Sequence, residues 1–158
     1  MSGAQPVALY VALSLLGGML IPITAALSSS MGRALANPSA AAFIVIAGSF
    51  LMVLAYTLVS GAMTVTPAAV LRVPVLQLLA GFGIAFYILS ITWVAPRFGV
   101  GNAVMLVVAA QIASSAVIDH FGLFGAPHKP IDLMRAAGLV IMVIGVVIAQ
   151  MAAAKPAS

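Results

Sequence analysis

Five apolar runs, each long enough to cross a bilayer, constrain this chain more than any other feature. A hydrocarbon core of about 30 Å takes about 20 helical residues. Only helices and closed barrels satisfy their own backbone there. The runs predict spans from Val7 to about Leu35, Ser39 to Ser60, Val73 to Val94, Val100 to Ile118 and Leu133 to Ala153. Composition agrees, with 65% of residues hydrophobic and 5% charged. An average soluble domain is about 25% charged, and a small one leaves too much surface in water to hide so much apolar area. The expected fold class is therefore all-α: a polytopic membrane protein with five transmembrane helices, one membrane domain over residues 1–158.

The N-terminal run lacks the positively charged segment of a signal peptide and stays apolar past twenty residues, so it is read as a retained first span. It is too long for one upright helix. At about 1.5 Å per residue its roughly 29 residues would reach about 43 Å. Pro22 lies inside it and leaves the carbonyl of Gly18 without its helical donor, with Gly17 and Gly18 easing a bend. The bend either serves packing or presents that carbonyl to a cavity. The connections carry turn formers: Asn37-Pro38, Gly61 to Pro74, Pro96 to Gly101, and Gly122 to Pro130. Such short links make the helices neighbours in one bundle.

The charges exclude several functions. The chain has no cysteine, so it has no disulfide and no cysteine metal site. Its basic residues are scattered, whereas a nucleic-acid surface groups them. His120 and His128 do not have metal-ligand spacing on one helix, and no third ligand accompanies them. No nucleophile–base–orienter set is present, so neither an enzyme nor a cofactor is expected.

Loop charges should set orientation. With five spans, Arg72, Lys129 and Arg135 fall on one side; Arg33, Arg97 and Lys155 fall on the other. Three against three gives no bias. Either both orientations occur, or something other than charge fixes one. Two oppositely inserted copies would pair about an axis in the membrane plane, and transporters built from inverted repeats bind cargo at the midplane between them. The chain shows no internal repeat of its own, so the partner would supply the mirror half.

Only mid-depth residues then lie level with their own copies. Gln111 lies about 15 Å into the fourth span, and Ser49 has the same depth in the second. An unpaired amide in hydrocarbon costs several kcal/mol, so Gln111 needs a partner in the bundle or in a wet cavity. Ser114, Ser115 and Asp119 share its face, although the serines equally suit close helix packing. Tyr87, Ser90 and Trp93 form a polar-tipped face on the third span, with Trp93 near its end as an interfacial anchor. Thr24 and Ser28 lie four apart beyond Pro22. Gly138 and Gly145 on the fifth span would let two helices approach as a dimer seam. Asp119 and His120 read as polar groups at a membrane boundary, beside Phe121 and Phe124.

The run "VAPRFGVGNAVMLVVAAQIASSAVIDHFGLFGAPHKPIDLMRAAGLVIMVIGVVI", Val94 to Ile148, closely resembles the signature of YdcZ-like inner-membrane proteins. "GSF" at Gly48 to Phe50 and "FYILS" at Phe86 to Ser90 resemble it too. These proteins are the short five-helix members of the drug/metabolite transporter superfamily. "LGG" at Leu16 to Gly18 and "GLVIMVIGV" at Gly138 to Val146 are more distantly similar to small multidrug resistance transporters. Where those carry a membrane-embedded glutamate, this chain has Pro22-Ile23, so their proton coupling is not implied. Thr24 and Ser28 also depart from the amides that the YdcZ-like pattern favours.

The resemblance implies a multi-pass protein of the bacterial inner membrane that works as an inverted pair, with itself or with a close paralogue. The expected function is transport of an unidentified small solute by alternating access around a midplane site. With no intramembrane acid, either a neutral or weakly polar cargo or facilitated movement is expected. The alternative is a non-transporting membrane subunit or scaffold; a narrow channel is disfavoured because no ring of charges or carbonyls is readable.

Overall fold

The structure is a computed structural model that describes residues 4–62 and 64–153; Lys155, counted above among the loop charges, lies outside them. The described residues form helices α1 (Ala4–Ala34), α2 (Pro38–Val59), α3 (Pro67–Val70), α4 (Val75–Leu78), α5 (Ala80–Phe98), α6 (Val100–Phe121) and α7 (Leu133–Ala153), with one 3-10 turn at Leu123–Gly125. Five helical stretches are long and apolar enough to cross a membrane: Val7–Ala34, Pro38–Val59, Val75–Phe98, Val100–Phe121 and Leu133–Ala153.

The boundaries follow local chemistry. The chain leaves α1 through a paired C-terminal cap: Asn37 N–H donates to Gly32 O at 3.2 Å and Ala36 N–H to Arg33 O at 3.1 Å. Ala36 adopts φ 49°, the left-handed position that glycine usually takes there. Asn37 then caps α2, its side chain accepting from Ala40 N–H at 3.1 Å, and Pro38 takes the first helical position. The second helix therefore starts one residue before the expected Ser39.

The third span differs more. It is interrupted at Leu79, and it runs through Pro96 to Phe98 where a stop near Val94 was expected. A proline removes only its own N–H, so one carbonyl, that of Thr92, loses a donor while the helix continues. The stop comes at Gly99, φ 89°, whose N–H closes on Ala95 O at 3.0 Å. The fourth span likewise outruns Ile118 to reach Phe121, where Gly122 turns left-handed at φ 60°.

By its contacts the chain divides into two compact units, residues 1–100 and 101–158. In the first, α1, α2 and α5 pack on one another. The seam between them is built mostly from small residues: Ala25, Ser28, Ser29 and Gly32 on α1, Ala41 and Ala42 on α2, and Thr92 and Ala95 on α5, with Ile88 and Ile91 of α5 as its two large side chains. Lipid tails are as apolar as leucine, so helices in a bilayer gain most where small side chains let backbones close up. A Cβ on Gly32 would stand 3.2 Å from Thr92 Cγ2 and 3.5 Å from Pro38 Cα. Away from this seam the helices are bare: Val7 to Leu20, Gly48 to Val53 and Ala80 to Ile84 are exposed throughout. The three-helix unit is closed at one end and open at the other.

In the second unit, α6 and α7 are fastened at both ends. Gln150 Nε2 donates to Asn102 O at 3.1 Å, and Arg135 pairs with Asp119 at 2.7 Å. The connecting loop is held beside the ion pair. Lys129 N–H donates to Asp119 O at 2.8 Å, and Ile131 N–H donates to His120 Nδ1 at 3.0 Å. Asp132 caps α7, accepting from Arg135 N–H at 2.6 Å.

Candidate functional site

In the first unit the polar residues sort by partner. Ser28 and Thr92 are fully buried and hydrogen-bonded to each other across the α1–α5 seam. Thr92 Oγ1 donates to Ile88 O at 2.7 Å, so Ser28 supplies the hydrogen between the two hydroxyls. Ser29 is equally buried and accepts from Arg33 Nη1 at 2.9 Å. Thr24 and Pro22 are half-buried, one turn nearer the open end, while Gly18 has open space around it. Ser49 stands at the middle of α2, exposed, its hydroxyl donating to Val45 O at 2.9 Å.

Tyr87 and Ser90 are half-buried. Ser90 and Trp93 line a hollow of about 400 Å³ with Pro38, Ser39, Phe86 and Leu89, so the α5 face read from spacing meets the start of α2. Tyr87 does not line it. Thr92 and Ser29 were not among the expected residues. Both occupy seam positions, and the Ile88, Ile91, Thr92, Ala95 spacing of three, one and three was the legible sign of a shared buried face.

In the second unit Gln111 stands at the midpoint of the 22-residue α6 and is exposed. Among the described residues its amide has no hydrogen-bond partner in the chain. Ser114 and Ser115 are exposed beside it; Ser115 Oγ donates to Ile112 O at 2.9 Å. Gly138 and Gly145 are exposed on α7, and a Cβ at either would meet open space beyond its own helix backbone. Asp119 and His120, read as boundary polars, stand at the end of α6 and organise the loop into α7. Among the described residues no group of three His, Cys, Asp or Glu could hold a metal ion.

Five membrane-capable helices with polar groups at mid-helix fit a transport protein, and the known families supply the assignment. Residues 9–148 match the family model described as "putative inner membrane exporter, YdcZ". The chain belongs to the YdcZ family. It is a multi-pass inner-membrane protein of the drug/metabolite transporter type. No curated protein and no solved structure matches it. The YdcZ match covers all five spans apart from their outermost ends, and with them Gln111, Ser114, Ser49, Tyr87, Ser90, Thr24 and Ser28.

Proposed function

We propose that this YdcZ-family protein moves a neutral or weakly polar small solute as an antiparallel homodimer, by alternating access around a midplane site. Gln111 carries the reading. An amide halfway along a membrane helix, exposed and without a partner among the described residues, is costly in lipid. It becomes tolerable if a second copy or a cargo supplies the missing hydrogen bonds. Ser114 and Ser49, also at mid-helix, are the proposed companions, with Tyr87, Ser90 and Thr24 as further wall. Ser28, expected in the same wall, is instead buried against Thr92, where the bond holds α1 to α5 behind it. Gly18 and Pro22 are the proposed point of bending in α1, and Gly138 and Gly145 the proposed seam between copies. The even loop charges support insertion both ways up, and a unit closed at one end suits rocking about a central site.

Since the chain has no cysteine, single cysteines test the arrangement cleanly. In an antiparallel pair, Ser49→Cys should cross-link to its own copy in membranes, whereas Ser60→Cys at the end of α2 should not. Cross-linking at both positions would indicate a parallel pair and overturn the proposal. For the site, purified protein in liposomes should carry solute from a ligand panel, and Gln111→Leu should slow it by about tenfold or more, the loss of one buried hydrogen bond. Undiminished flux in that variant removes Gln111 from the pathway.

A further inference from the structure

Arg33 and Arg97 come from different helices yet line one hollow of about 310 Å³ at the closed end of the first unit, with Gly32, Ala36, Pro38 and Pro96. Residues 1–100 contain no Asp or Glu, so no carboxylate of that unit neutralises the pair. Each guanidinium is tethered to its own helix: Arg33 Nη1 to Ser29 Oγ at 2.9 Å, and Arg97 Nη1 to Trp93 O at 2.6 Å. Arg97 also stacks over the Trp93 ring at 4.3 Å. A guanidinium has five N–H donors, so these tethers orient both groups and leave most of their donors for another acceptor. The nearest helix-end carbonyls are taken. Gly32 O accepts from Asn37, Arg33 O from Ala36, and Ala95 O from Gly99. Pro38 opens α2, so the positive end of that helix faces the same hollow.

Two cations beside a low-dielectric bundle repel each other, and an anion between them replaces one repulsion with two attractions. The arginine fork fits phosphate oxygens two at a time. We propose that this hollow binds a phosphate-type oxyanion, a phosphodiester or phosphomonoester held between Arg33 and Arg97. The helices end here and Trp93 marks the interfacial belt, a depth at which basic pockets take phospholipid headgroups. A free phosphoester presents the same oxygens. The hollow lies within one protomer, so the site does not depend on how copies pair.

The test uses the full chain purified in detergent. Native mass spectrometry with added phosphatidylglycerol should show one lipid retained per chain. Retention should weaken by about tenfold or more in Arg33→Gln and in Arg97→Gln, and stay unchanged in Arg72→Gln, a loop arginine outside the hollow. Ala36→Asp keeps both arginines and sets a carboxylate in the hollow, so it should abolish retention while eluting from gel filtration as the parent does. In a second arm, delipidated protein is titrated with inorganic phosphate and with glycerol phosphate. Binding there with the same dependence on Arg33 and Arg97 identifies a soluble oxyanion as the occupant; binding of phosphatidylglycerol alone identifies the headgroup. Absence of both, equal loss in Arg72→Gln, or full retention in Ala36→Asp overturns the proposal.

Discussion

Ala36 shows how much one residue can reveal about a membrane hairpin. It sits at φ 49° between α1 and α2, with both cap hydrogen bonds made around it. A Cβ in the left-handed region costs about 1–2 kcal/mol. Ala36→Gly should therefore stabilise the protein by about 1 kcal/mol, read as a higher midpoint of thermal unfolding in detergent. Gly32 is the opposite case. Its missing side chain is what allows Thr92 and Pro38 to approach. Gly32→Val should destabilise by about 1–3 kcal/mol through overpacking, whereas Gly17→Val, in open space, should change the unfolding midpoint little. The comparison separates a packing glycine from one that faces open space. Equal effects at the two positions would show that the seam is not where the three helices are held.

Among the elements, the helices are legible from apolar length, and their ends from caps and left-handed residues. Pro96 misleads because a proline is a strong stop only where the residue before it cannot stay helical; here the helix carries it and Gly99 does the stopping. The link between α6 and α7 was expected as a plain turn with boundary polars. Asp119 and Arg135 stand in successive helices and meet only once the loop folds back, so their pairing is not visible in spacing. The ion pair is partly exposed, so its stability contribution is modest, on the order of 1 kcal/mol or less. Arg135→Ala should accordingly leave global unfolding almost unchanged. Amide exchange should nonetheless rise through residues 122–132, where Lys129 and Ile131 lean on Asp119 and His120. Protection equal to the parent's would mean the loop is held by something other than this cluster.

For the whole molecule the decisive quantity is the balance of loop charge. If three basic residues face three across the membrane, two more on one side should settle the orientation. Thr66→Lys with Ala68→Lys, in the connection between α2 and α4, should turn a mixed C-terminal reporter signal into a single one. Under the proposed antiparallel pairing this variant should lose transport alone. It should regain transport when expressed with a second variant biased the other way. A parent that already gives one reporter signal, or a biased variant that transports unaided, would contradict antiparallel pairing.

The sequence by itself determined what is additive along the chain. Bilayer thickness converts apolar length into spans, and a run of signature residues converts into membership of the YdcZ family. It also placed Gln111 and Ser49 at mid-depth, because depth in a helix is only a count of residues. The tertiary structure alone decided which polar groups are already engaged. It put Ser28 against Thr92, left Gln111 without a partner among the described residues, and brought Arg33 and Arg97 to one hollow. Those outcomes depend on which helix faces meet. In lipid, small side chains on every helix offer nearly equivalent seams, so helical period shows which residues share a face but not which face finds a neighbour.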